Sequence, residues 1–325
     1  MLRTLFLATA LLTLATAKGA GQSPVRGVRV EADNDAFNFW IPVPRPDHDY
    51  THGGRIVIDA DAAPGWGKRL APRLRPCASA VRAGERCMAT RFEVGQKIYT
   101  PRRDAESPLP GERPYAGWLY GSATARVLDG ESERSLEVEA GVTGPPSLGE
   151  AVHTGLHHIV GFWEPQGWRN QLRFEPAVAV RAGIARLLAE PRASGVRVAT
   201  VAPHLAVGAG NLLAGAQAGI RAQAGYGVPH PWEAGSVPEP KVAAYVLGAV
   251  RGEWVAHSLF LDGNTFRPSP RVERIPLVGE YEVGAALRVG GVLAEYRVVT
   301  RGREYRTEPD AHRYSTIVIG YRRGY

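Results

Sequence analysis

The chain has 325 residues, 44% of them hydrophobic, with 39 Lys and Arg against 32 Asp and Glu for a formal net charge of +7. That length admits two ordinary domains or one large barrel. The positive charge is scattered, with no Lys/Arg block and no interleaved stacking aromatics, which argues against a nucleic-acid partner and suits anionic lipid headgroups.

The first residues read as an export signal. MLRT carries the charge, LFLATALLTLATA is a short apolar run, and Ala15, Thr16 and Ala17 offer a small-residue cleavage site. Residues 1–17 are therefore assigned to a signal peptide and 18–325 to one domain, since no linker and no repeat interrupts the remainder. No later apolar run approaches the roughly 20 residues of a spanning helix. An exported chain of this kind is either soluble or crosses a membrane as a β-barrel.

Period-two alternation then runs from end to end. In 133–142, Leu136, Val138, Ala140 and Val142 share one face and Ser135, Glu137, Glu139 and Gly141 the other. In 278–288, Tyr281, Val283, Ala285 and Leu287 oppose Glu280, Glu282, Gly284 and Arg288. About twelve strands are predicted, near 25–34, 50–60, 90–99, 116–128, 133–143, 172–188, 196–207, 214–226, 241–262, 278–289, 291–301 and 312–321. Alternation alone does not separate a soluble sandwich from a barrel in lipid. The 38 glycines, many inside strand-like runs, and Tyr and Trp near strand ends favour the barrel. The expected class is all-β, a single antiparallel transmembrane barrel with an even strand number. Cys77 and Cys87, in an oxidising compartment, are expected to form a local disulfide.

One segment breaks the pattern. SLGEAVHTGLHHIVG predicts a short helix over about 148–160, with Ser147 and Glu150 spaced as a capping box and Gly161 as the stop. His153 and His157, four apart, would project from one face. Near the first strands stand Asn34, Asp35 and Thr51, brought close if those strands pair. Their oxygens suit Ca²⁺ better than Zn²⁺. Taken alone, Asn-Asp is ordinary turn chemistry and Tyr-Thr good strand material. The helix histidines also have a zinc-ligand spacing, without the adjacent Glu or an identified third ligand. No G-x-S-x-G elbow is present, so a serine esterase has little support. An imidazole beside a hard cation would instead activate water against an ester carbonyl.

NDAF with DYTHG, GQKIYTP, RPYAGWLY, GVTGPPSLGEAVHTGLHHIVG, GWRNQL and SLFLDGNTF occur in that order from about residue 28 onward. The ordered set resembles the outer-membrane lipid A 3′-O-deacylase family of Gram-negative bacteria. The resemblance implies a twelve-stranded outer-membrane barrel with its site between the wall and a short helix. It further implies Ca²⁺-dependent hydrolysis of the ester bearing the 3′ acyloxyacyl chain of lipid A, with His157 as the base. Asn34, Asp35 and Thr51 match the family's site positions, Asp35 and Thr51 as metal contacts, and no obligatory protein partner is implied. Two departures stand out. His153 occupies the position where the family usually has Gln, and Trp163, followed by Glu164, stands where a characterised member has an acidic residue. The competing expectations are a related outer-membrane acyl hydrolase acting on phospholipid, and a non-catalytic barrel that binds lipopolysaccharide.

Overall fold

In the computed structural model, residues 25–38, 48–62, 65–70, 72–77, 85–232 and 239–323 are described, so the expected signal peptide lies outside them. Twelve long strands account for most of the chain: β1 (Val25–Asn34), β2 (Asp49–Ala60), β3 (Cys87–Thr100), β4 (Ala116–Leu128), β5 (Ser132–Thr143), β6 (Glu175–Arg186), β7 (Ala199–Gly210), β8 (Leu213–Tyr226), β9 (Val242–Ser258), β10 (Leu277–Val289), β11 (Val292–Arg301) and β12 (His312–Arg322). Each long strand pairs antiparallel with its neighbours in sequence. β1 then pairs with β12, so no edge of the twelve is left open. Closure satisfies every strand's backbone groups, the condition for crossing hydrocarbon.

Side-chain direction separates the two architectures that alternation left open. The apolar faces point outward: Val246 is 60% exposed, Val250 54% and Val283 56%, and Val178, Val180, Leu205 and Val207 are likewise exposed. The polar faces point inward around a cavity of about 700 Å³. There Arg301 reaches Glu253 at 2.7 Å, Glu280 at 3.1 Å and Glu304 at 2.8 Å. Arg55 meets Asp33 at 2.7 Å, and Arg297 meets Glu31 at 3.2 Å. Apolar outside and ion-paired inside is the pattern of a barrel in lipid. No described helix is long and apolar enough to span a membrane.

The first residues of β1 and the last of β12 pair at one mouth of the barrel. Near that end, Cys77 and Cys87 form the expected disulfide, with Cα atoms 5.0 Å apart. The other mouth carries the predicted helix, the β3–β4 and β11–β12 loops, and the end of β1 with the start of β2.

Candidate active site

The helix spans Gly149–Val160, within a residue of expectation, and Gly161 ends it at φ +76°, returning its N–H to the His157 carbonyl. The capping box does not form. Gly144, Pro145 and Pro146 direct the chain into a 3₁₀ turn that includes Ser147, whose hydroxyl bonds back to the Gly144 carbonyl at 2.6 Å. Leu148, at φ +59°, is the N-cap and supplies no side-chain cap, while Glu150 is exposed.

The helix lies against the outside of the wall. Lys97 and Tyr99 of β3 line the interior cavity, so Gln96, Ile98 and Thr100 face outward. Gln96 donates from Nε2 to the Ser147 carbonyl at 2.5 Å. Ile98 packs with Tyr115 and Trp168, and Val152 of the helix joins them. Gly117 of β4 makes the approach possible, because a Cβ there would stand 3.0 Å from the Gly149 Cα and closer still to the Ser147 hydroxyl.

His153 and His157 share the buried side of the helix, each 3% exposed, with ring centroids 4.4 Å apart. The Trp168 indole N–H donates to His153 Nδ1 at 3.1 Å. His157 Nδ1 stands 2.5 Å from the Trp163 carbonyl. A carbonyl can only accept, so Nδ1 carries the proton and the basic lone pair of neutral His157 is on Nε2. The Trp163 ring packs edge-on to His157 at 5.1 Å, and Glu164 is exposed.

Asn34 and Thr51 belong to the same outer face. Asn34 ends β1 opposite His52 of β2, which sets Asp35 level with Thr51. The β2–β3 register slips between Tyr50 and His52, leaving Thr51 as the extra residue of a bulge, a device that redirects a side chain. The Thr51 and Thr100 hydroxyls share a hydrogen bond of 2.6 Å. Thr100 follows Ile98 by two residues on one face, so the threonine pair lies roughly 7 Å along β3 from the residue that seats the helix. The Asn34 side-chain Oδ1 accepts the Ala36 N–H at 2.7 Å, and its side-chain amide nitrogen remains a donor. Asp35 is 1% exposed and accepts the His48 N–H at 3.1 Å.

The arrangement can hold a neutral imidazole, an amide donor and a hard-oxygen set along one outer stretch of wall. Sequence reasoning did not single out Thr100 or Trp168, although both lie inside its motifs GQKIYTP and GWRNQL. Arg113, from the RPYAGW motif, turns inward: it ion-pairs with Glu304 at 3.0 Å and stacks over Tyr99, 4.6 Å from the ring centroid. Burial pushes the Glu304 carboxyl up, but Arg301 and Arg113 outweigh it and hold that carboxyl below its ordinary range. Among the described residues, the three-residue group able to hold a metal is His48, Asp49 and His312, separate from the helix pair.

A profile of the family described as outer membrane protein LpxR matches residues 5–323. The solved structure of LpxR from Salmonella typhimurium is 19% identical over 91% of this chain and 100% of that one, with a TM-score of 0.73, which establishes the shared barrel fold. The translocator domain of the autotransporter NalP from Neisseria meningitidis, 10% identical over 98% of this chain and 96% of that one, reaches a TM-score of only 0.41. No curated protein sequence matches the chain.

Proposed function

The chain belongs to the LpxR family of outer-membrane proteins, and from that membership we propose that it is a lipid A deacylase of the outer membrane. It would hydrolyse the ester that carries the 3′ acyloxyacyl chain. The observation that carries this reading is the seating of two buried histidines against the outer wall, on the face that also carries Thr51 and Asn34. A lipid in the outer leaflet meets that face without entering the barrel.

His157 is the general base. With Nδ1 donating to the Trp163 carbonyl, Nε2 takes a proton from water as the oxygen attacks the ester carbonyl. The proton is then passed to the departing sugar alkoxide, and the acyl chain leaves as a carboxylic acid. His153, fixed by Trp168, orients the water or the ester, and the Asn34 amide donates to the carbonyl oxygen. Asp35 and Thr51 would hold Ca²⁺, whose positive charge favours the oxyanion when the ion is bound. The donors fit a hard cation: a buried carboxylate and a hydroxyl, without sulfur or nitrogen. Exposed Ile159, Val160, Phe162 and Trp163 at the end of the helix give acyl chains an apolar surface to lie on.

The test is release of fatty acid from purified lipid A by the full chain in detergent, with and without Ca²⁺. Release from lipid A is expected. Release from phospholipid alone would move the assignment to a phospholipid acyl hydrolase, and binding without release to a lipopolysaccharide-binding barrel.

A further inference from the structure

A second group of chemically competent residues lies on the other side of the wall. His48 ends the β1–β2 loop, Asp49 opens β2 and His312 opens β12. They are buried, at 7%, 0% and 2% exposure, and offer one ligand atom each within 4.8 Å of one another. The His48 and His312 rings meet edge-on at 5.2 Å. His312 shares its face of β12 with Tyr314 and Thr316, which line the interior, so the group sits inside the mouth, not on the outer face with Thr51.

Three details distinguish this group from an ordinary buried hydrogen-bond network. His312 Nε2 donates to the Tyr50 carbonyl at 3.0 Å, which leaves the lone pair on Nδ1, a buried atom with no hydrogen-bond partner among the described residues. A ring fixed through one nitrogen with the other left to coordinate is how metal-binding histidines are held. Asp49 adopts φ +61°, an uncommon conformation for a residue that is not glycine, and strain of this kind collects at functional positions. Its carboxylate accepts from Tyr305 at 2.9 Å and from His48 Nδ1 at 3.0 Å, and each oxygen keeps a further lone pair. Arg102 and Arg113 stand 3.9 Å from that carboxylate, beyond hydrogen-bond range.

We propose that His48, Asp49 and His312 form a site for a divalent cation of the zinc class, distinct from the calcium ligands assigned above and independent of that assignment. Two imidazoles and one carboxylate suit Zn²⁺, Co²⁺ or Ni²⁺ and are poor ligands for Ca²⁺. The ion would join the first residues of β2 and β12, which flank the end of β1 where Asn34 and Asp35 lie. Because Asp35 accepts the His48 N–H, the clip would also steady the outer site.

The test uses the full chain in detergent, stripped with chelator and titrated with Co²⁺, then with Zn²⁺ in competition. One equivalent of Co²⁺ with visible absorption is expected, displaced by Zn²⁺ and not by excess Ca²⁺. His48→Gln and His312→Gln should each weaken binding at least about tenfold, whereas His157→Gln should leave it unchanged. His312→Cys should add the near-ultraviolet charge-transfer band of a thiolate-bound Co²⁺, and heat-modifiable gel mobility reports that each variant is folded. Absence of stoichiometric binding by the wild type, binding that survives both Gln variants, binding lost with His157→Gln, or a folded His312→Cys without the new band would each overturn the site.

Discussion

The indole of Trp168 donates to Nδ1 of His153 at 3.1 Å, so a residue from the segment after the helix fixes the ring on it. The side-chain carbonyl of the Gln that the resemblance implies at this position could accept the same N–H. His153→Gln should therefore retain most of the hydrolytic rate. His153→Leu should lose it and also destabilise the barrel by about 1–3 kcal/mol, the cost of leaving a buried donor unsatisfied. Steady-state rates and melting in detergent check both. Equal behaviour of the two variants would show that the acceptor is immaterial.

Removal of divalent ions should abolish hydrolysis. Ca²⁺ should restore it better than Mg²⁺, because the larger ion accepts irregular oxygen sets. Thr51→Val, which loses the hydroxyl but nearly keeps the volume, should raise the Ca²⁺ concentration needed for half-maximal rate. Full activity in chelator, or rescue by Zn²⁺ alone, contradicts the assignment of Asp35 and Thr51.

Glu308, in the β11–β12 loop, is pushed by burial, and then by the nearby Asp49 charge, from 4.5 up to about 8. Between those values the folded chain keeps a proton that the unfolded chain has released. Stability from this group is full below pH 4.5, falls as pH rises through that window, and levels off above about 8. Thermal melting should show a drop from pH 5 to pH 8 that is smaller in Glu308→Gln. Parallel pH profiles for the two proteins would exclude Glu308 as the source.

Gly117 of β4 lies directly under the start of the helix. A Cβ there would meet Gly149 at 3.0 Å as well as the Ser147 hydroxyl. Gly117→Ala should shift the helix off the wall and lower kcat several-fold while the barrel remains heat-modifiable. Unchanged kcat would indicate that the helix has room to spare.

Strands were legible because their period is local: β1 and β4 fall where alternation placed them. The strand predicted over 241–262 ran too far, since its last residues form the one-turn helix Leu259–Asp262, too short to show a period of its own. The capping box failed because two prolines before Ser147 impose a different turn, which spacing alone does not register. His153 and His157 were legible as a face. The bulge at Thr51, its bond to Thr100, and the meeting of His48 with His312 were not, because each depends on pairing between segments distant in sequence. The direction of the apolar face likewise emerges only when β1 closes on β12.

The most direct test of the central claim is mass spectrometry of lipid A from cells expressing the wild-type chain or His157→Ala. The wild type should produce lipid A lighter by the 3′ acyloxyacyl group. His157→Ala should insert as a folded barrel yet leave lipid A intact, since loss of a general base costs about 10²–10⁴ in rate. Lipid A unchanged by the wild type, or equally deacylated with His157→Ala, would contradict the account.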